Sequence, residues 1–383
     1  FGFKSRGLGD VYKRQVLLLV LGAAGSTPAG SQGMAQPIYW GSYMSGDLYG
    51  GDDAPFDTRT IETFEANAGK RVSILHWGQP WYWGSQGGYQ SFQEAEAEKV
   101  RRRGAIPMIS WGSWDLDAGG AANQPDFRLQ RILDGAHDAH IRSWARDARD
   151  WGHPLFVRFN HEMNGSWYPW GEGVNGNSPG QFAPAWRHVV SIFRQEGATN
   201  VTWVWAPNII YDGAIPLDRL YPGDAWVDWV GISGYNWGTN PATNGFAWQS
   251  FNEVNRFTYD ALGRLAPSKP VMIAETASSE VGGSKAAWIL DALRNVIPGW
   301  PRVKAFVWFN RNEQNIQGQT DWAIETSPSA QNAFADGISS PFYAANEFSN
   351  LPVLAPVPPP SGPAVPVPSS APTVGQPGVT GPG

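Results

Sequence analysis

The chain has 383 residues, no Cys, 21 Trp, 45 Gly and a formal net charge of -6. That length admits one large barrel or two ordinary domains. The missing Cys excludes disulfide staples and thiolate metal sites. Without a strong block of either charge, the balance argues against a nucleic-acid partner and suits a neutral polymer.

Residues 1–12 begin without Met, fit no pattern around them and read as a non-native leader. Lys13 and Arg14 then precede a short apolar run, 16–24, with small and polar residues following to 35. A charged start, a short apolar middle and a small-residue end describe a secretory signal peptide. The run is too short to anchor in a bilayer. The mature protein is therefore expected to be extracellular, off the membrane and a monomer.

From 36 to 350 apolar runs alternate with helical stretches. The spacing predicts strands at 38–44, 72–77, 106–111, 155–160, 201–205, 230–235, 271–275 and 303–309. Helices are expected at 58–68, 91–102, 127–150, 184–195, 251–265, 284–296 and 328–336, with the weakest signal at 211–226. Eight strands alternating with about eight helices predict the α/β class and a (β/α)8 TIM barrel. An open doubly wound sheet is the alternative, but no glycine-rich phosphate loop follows the first strand. From 351 to 383 the chain is mostly Pro, Val, Ser, Gly and Ala, as in Pro358-Pro359-Pro360. This reads as a Pro-rich disordered linker or tail, with a carbohydrate-binding module as one candidate beyond it.

In a barrel all strand ends converge on one face, where chemistry sits. Here they offer His76 and Trp77; Trp111 and Trp114; Arg158, Asn160, His161 and Glu162, followed by Trp167 and Trp170; Trp205 and Asn208; Tyr235 and Trp237; Glu275; and Trp308 with Arg311. Many Trp follow Gly, Ser, Asn or Pro. Most of Trp77, Trp81, Trp83, Trp111, Trp114, Trp167, Trp170 and Trp237 are expected in a groove, where an indole face matches the C–H face of a sugar ring. Trp111, Trp167 and Trp308 are expected to share one cleft with both glutamates. Glu162 and Glu275 each end an apolar strand. Acetal cleavage needs such a pair, one acid and one carboxylate. Chemistry alone leaves their roles open, and a salt bridge to Arg158 or Arg311 is the structural alternative. A zinc helix starting at His161-Glu162 would need a second His where Gly165 stands. A non-catalytic glycan-binding protein would share the Trp groove without needing two facing carboxylates.

The run His161-Glu162-Met163-Asn164-Gly165, with Trp167 and Trp170-Gly171, resembles the signature of glycoside hydrolase family 26. Ile273-Ala274-Glu275-Thr276 resembles that family's second glutamate strand. The resemblance implies a retaining clan A barrel without metal or cofactor. It implies an endo-β-1,4-mannanase acting on plant mannan, or an enzyme for mixed-linkage glucan or β-1,3-xylan. It implies Glu162 as acid/base, Glu275 as nucleophile, His161 orienting the site and Tyr235 bonded to the nucleophile. Trp308 would floor the central sugar, and His76 and Trp167 would line neighbouring subsites. The chain departs from the mannanase pattern at Tyr168-Pro169 and at Phe309-Asn310 before Arg311.

Overall fold

A computed structural model describes residues 33–239, 246–315 and 319–368. Eight parallel strands form a closed (β/α)8 barrel: β1 (Tyr39–Met44), β2 (Ile74–Trp83), β3 (Ile106–Asp115), β4 (Leu155–Phe159), β5 (Val201–Trp205), β6 (Trp229–Asn236), β7 (Val271–Ser278) and β8 (Val303–Asn310). Each pairs with its neighbour in sequence, and β1 pairs with both β2 and β8, closing the ring. β2 and β3 run further than their apolar stretches suggest. They stay paired as far as Tyr82 and Asp115, and Gly88–Tyr89 folds back on the end of β2.

The helices are α1 (Thr58–Ala68), α2 (Glu94–Arg102), α3 (Asp138–Trp151), α4 (Phe182–Glu196), α5 (Leu217–Leu220), α6 (Phe251–Leu265), α7 (Lys285–Asp291) and α8 (Pro328–Ile338). Local chemistry starts several of them. The Asp57 side chain accepts from Arg59 N at the head of α1, and Ser250 with Glu253 forms a capping box on α6. The single helix expected over 127–150 is corrected. Gly135 adopts φ 76° and separates a short turn, Leu129–Leu133, from α3. Between β5 and β6 only the one-turn α5 and a 3-10 turn, Asp224–Trp226, are helical.

Two apolar layers hold the fold. Inside the barrel lie Tyr39, Ile74, Ile106, Met108, Phe156, Val204, Trp229, Met272, Ala274, Ala305 and Val307. Strand side chains alternate between faces, so the residues between these point outward to the helices. The outer layer takes most of the Trp surplus, including Trp40, Trp77, Trp111, Trp144, Trp186 and Trp308.

The expected linker departs from expectation over its first part. Residues 351–368 are extended but pack on the barrel. Val357 is buried in the interior cluster beside Phe348 and Leu351. Its N–H donates to Thr202 Oγ1 at 2.6 Å, and Pro358 O accepts from Tyr39 OH at 3.0 Å. Val365–Pro366 pairs antiparallel with Met34–Ala35. Apolar surface under the barrel gives this stretch somewhere to bury side chains, which composition alone does not reveal. The signal-peptide run and residues 369–383 lie outside the described residues.

Candidate active site

Inward alternation along β7 passes through Met272 and Ala274. Continued strictly, it would send Glu275 out to the helices. A β-bulge prevents this. Between Ile273 and Glu275, β7 advances two residues while β6 advances one, from Ile232 to Ser233. The pairing with β8 shifts over the same stretch. The extra residue turns Glu275 into the barrel mouth, a use to which bulges are often put. There Oε2 accepts from Arg158 Nη1 and Oε1 from Tyr235 OH. Arg158, on β4, is fully buried. It also donates from Nη1 to Ser110 Oγ at 3.3 Å and from Nη2 to Ser233 Oγ.

Glu162 follows β4 in a tight loop. Asn160 and Glu162 both hold positive φ, 41° and 55°, which costs a non-glycine residue of order 1–3 kcal/mol. Tertiary bonds fix the loop. Glu162 N–H donates to Ala206 O at 2.8 Å. Asn160 spends its amide on Ser113, accepting from the backbone N at 2.8 Å and donating to Oγ at 2.9 Å. Asn164 exchanges two bonds with the backbone of Asn208. Asn208 in turn donates to Glu162 Oε1 at 3.0 Å, and Trp167 Nε1 donates to Oε2 at 2.8 Å. A Cβ on Gly165 would stand 2.3 Å from the Trp167 ring, so only glycine lets that indole reach the carboxylate. Trp170 Nε1 donates to His161 O at 2.8 Å, and the Trp170 ring stacks on Tyr168 at 4.5 Å.

The two carboxyls sit in opposed electrostatic settings. Burial, and then the charge of Glu275, push the Glu162 pKa up to about 7, against smaller pulls from Arg158, Asn208 and Trp167. Burial would also raise Glu275. The Arg158 guanidinium, His76 and the bonds from Tyr235 and Arg158 together outweigh it and hold this carboxyl below its ordinary range. Burial pushes His76 down to about 3, and burial with the Arg158 charge pushes His161 well down. Both imidazoles are neutral near pH 7, which leaves Arg158 as the cation against Glu275. His76 Nε2 lies 2.7 Å from Ser110 Oγ, and His161 Nε2 lies 3.1 Å from Tyr168 OH.

Around the pair opens a cleft of about 940 Å³. Of the residues expected there, it brings together His76, Trp114, His161, Glu162, Trp167, Tyr235, Trp237 and Glu275. Several others are corrected. Trp77, Trp111 and Trp308 point outward by strand alternation. Trp111 packs on Trp144 and Phe193, and Trp308 on Phe334. The inward positions beside them carry Ser110 and Phe309, which line the cleft. Trp81 stacks on Phe159 behind the barrel, and Trp170 is buried behind Tyr168. Asn160 and Arg158 lie beneath the cleft. Arg311 is buried 3.3 Å from Glu313. Strand-end reading missed Tyr43, Tyr168, Glu313, Gln319 and Trp322. Tyr43 was findable, as the inward residue two past Gly41 on β1. Glu313, Gln319 and Trp322 arrive on the turn after β8 and carry no strand signal. Among the described residues no cluster of His, Asp or Glu is placed to hold a metal.

A model of glycosyl hydrolase family 26 matches residues 112–290. The chain is 36% identical over 288 residues to Endoglucanase H of Acetivibrio thermocellus, covering 73% of this chain and 29% of that protein. It is 24% identical over 216 residues to a mannan endo-1,4-β-mannosidase of Bifidobacterium adolescentis, covering 53% and 21%. The chain thus spans less than a third of the length of either relative. A GH26 β-mannanase structure from Bacteroides ovatus superposes with TM-score 0.57 at 18% identity, over 82% of this chain and 93% of that one. At that identity the likeness speaks to the fold.

Proposed function

The chain belongs to glycosyl hydrolase family 26, and from that premise we propose that it is a secreted, retaining endo-β-glycanase. Glu162 is its acid/base and Glu275 its nucleophile. One observation supports the assignment: the Arg158 guanidinium and Tyr235 bond Glu275, whereas Glu162 is buried with only the neutral donors Asn208 and Trp167, a setting that separates the two carboxyls, raising Glu162 and lowering Glu275. A pair so separated divides into proton donor and anion at neutral pH.

Glu275, ionised by Arg158 and aimed by Tyr235, attacks the anomeric carbon. The bond to the leaving oxygen breaks, and Glu162 gives that oxygen its proton. The product of this step is a glycosyl ester on Glu275 and a shortened chain. Glu162, now ionised, takes a proton from water, whose oxygen attacks the same carbon. The ester breaks, Glu275 is released as carboxylate and the configuration is retained. Trp167, Trp237, Phe309 and Trp322 supply apolar faces for sugar rings, and neutral His76 and His161 supply hydrogen-bonding edges.

The preferred substrate in this reading is a β-glucan, with mixed linkage as the form that the family resemblance implies. The relative named as an endoglucanase shares 36% identity over 73% of the chain, against 24% over 53% for the mannosidase. β-Mannan is the second reading, supported by that mannosidase and by the family resemblance of the His161–Gly165 run. Secretion is supported by the charged and apolar run before residue 33.

Reducing-sugar release from mixed-linkage glucan, mannan and β-1,3-xylan, with NMR of the first-formed anomer, tests the proposal. Glucan should be cleaved fastest and the β-anomer should appear first. An initial α-anomer would overturn retention. Release from none of the three would favour a glycan-binding protein.

A further inference from the structure

We propose that Lys285 is a positioning residue for the cleavage reaction: it fixes the turn that carries Trp322 into the cleft, and through Trp322 it holds Tyr235 against the nucleophile; this rests on the glycanase reading above. Lys285 opens α7 and is fully buried. Both facts count against a packing role. A buried ammonium is far more costly than an apolar side chain of its size. A cation in the first turn of a helix also faces the positive end of the helix dipole. Burial pulls its pKa down to about 8 against the charges of Asp321, Glu280 and Glu325, so near pH 7 it keeps its proton and all of its donors. Nζ donates to Asp321 O at 3.2 Å, Ala323 O at 2.6 Å and Thr326 Oγ1 at 2.8 Å. The two carbonyls lie on either side of Trp322. The carbonyl between them accepts from Trp308 Nε1 at 3.1 Å, and Trp322 N–H donates to Arg311 O at 2.9 Å. Trp308, turned away from the cleft, thus acts on it through this bond.

So fixed, the Trp322 ring stands in the cleft wall. Its centroid lies 4.9 Å from that of Tyr235 and 4.8 Å, edge-on, from that of Trp237. Tyr235 OH donates to Glu275 Oε1, and that bond helps to hold the Glu275 carboxyl below its ordinary range. A turn free to shift would let the indole leave Tyr235, and the phenol would lose the wall that aims it. Misplacing a reacting group by about 1 Å costs on the order of 10²-fold in rate. A buried lysine that touches no sugar can therefore act on the reaction through two packed rings.

The test is kcat/KM across pH, with thermal melts, on whichever of the three polysaccharides the wild type cleaves fastest. Lys285→Met keeps most of the side-chain volume and removes the donors. It should lower kcat/KM about 10- to 100-fold at the optimum and move the acid limb, set by Glu275, upward. Trp308→Phe removes one anchor and no charge. It should move the limb the same way by less, which separates a loosened turn from a lost cation. If Lys285→Met fails to fold, Trp308→Phe and Thr326→Val, each short of one anchor, carry the same expectation. Lower melting temperatures with kcat/KM and the acid limb unchanged would make Lys285 a core residue and overturn the proposal. A limb that moves in Lys285→Met alone, or a loss of kcat/KM with the limb in place, would overturn the route through Tyr235. Wild-type protein inactive on all three polysaccharides would instead overturn the glycanase reading.

Discussion

The two mouths of the barrel differ in what they bury, although the amino-end side has strain of its own in Leu354 at φ 53° and in unpartnered nitrogens of Arg302. The carboxyl-end mouth gathers what a fold ordinarily avoids. It has two non-glycine residues at positive φ, a bulge in β7, a fully buried Arg158, and buried nitrogens without partners at His76 Nδ1, His161 Nδ1 and Arg158 Nε. The amino-end mouth has Val357, Phe348 and Leu351 packed among Tyr39, Phe156 and Trp229. Unpaired and strained groups cost stability, and well-packed apolar ones supply it. The contrast teaches that one end of this barrel is shaped for chemistry and the other for holding it together. Substitutions at the two ends should therefore fail in different measurements.

The largest expected effect is on rate. Glu275→Ala should abolish turnover, and azide should rescue it by giving an inverted glycosyl azide. Glu162→Ala should lose on the order of 10²–10⁴-fold on natural linkages. It should still form the intermediate from substrates with good leaving groups, and azide should then give retained product. Retained product from the Glu275 variant would exchange the two roles.

Next is a gain in stability at the catalytic mouth. Glu162 keeps its proton in the fold up to about pH 7, well above the ordinary carboxyl value of 4.5. The folded state binds more protons across that window, so stability falls as pH rises through it and the full cost is present above pH 7. Glu162→Gln should therefore raise stability at pH 8 by roughly 2–3 kcal/mol and change little at pH 4. An equal shift in thermal melts at both pH values would count against a raised Glu162.

At the opposite mouth the signs reverse. Val357→Ala should cost about 1–2 kcal/mol in denaturant unfolding and leave kcat/KM unchanged. A fall in kcat/KM without loss of stability would dissolve the contrast between the ends. The smallest effect belongs to Trp167→Phe, which removes a bond that favours ionised Glu162. The alkaline limb of the kcat/KM profile should move up by less than about one pH unit. Movement downward would mean that the indole acts on Glu162 in some other way.

The barrel was legible because its strands are buried on both faces and read as apolar runs between amphipathic helices. Both glutamates were legible because a carboxyl closing such a run has few structural uses. Which way a strand-end residue faces was not legible without registering alternation. Trp111 and Trp308 stand one residue from the inward positions Ser110 and Phe309, and that single step sends them to the outer core. Glu275 looked safe for the wrong reason. Strict alternation from Ala274 would have excluded it, and a bulge without a sequence signal restores it. Glu313 and Trp322 come from a turn that pairs back through Asn312 and Asp321, contacts visible only once the chain is folded.

The short ladder between Met34–Ala35 and Val365–Pro366 brings the two ends of the described chain together beneath the barrel. A peptide joining 33 to 368 would have little distance to span, and new termini could be cut into a turn elsewhere on the amino-end face. Such a circular permutant should keep its cleft. For the same reason, any module tethered through either end leaves the barrel on the side away from the groove, free to hold a polysaccharide without standing in its path.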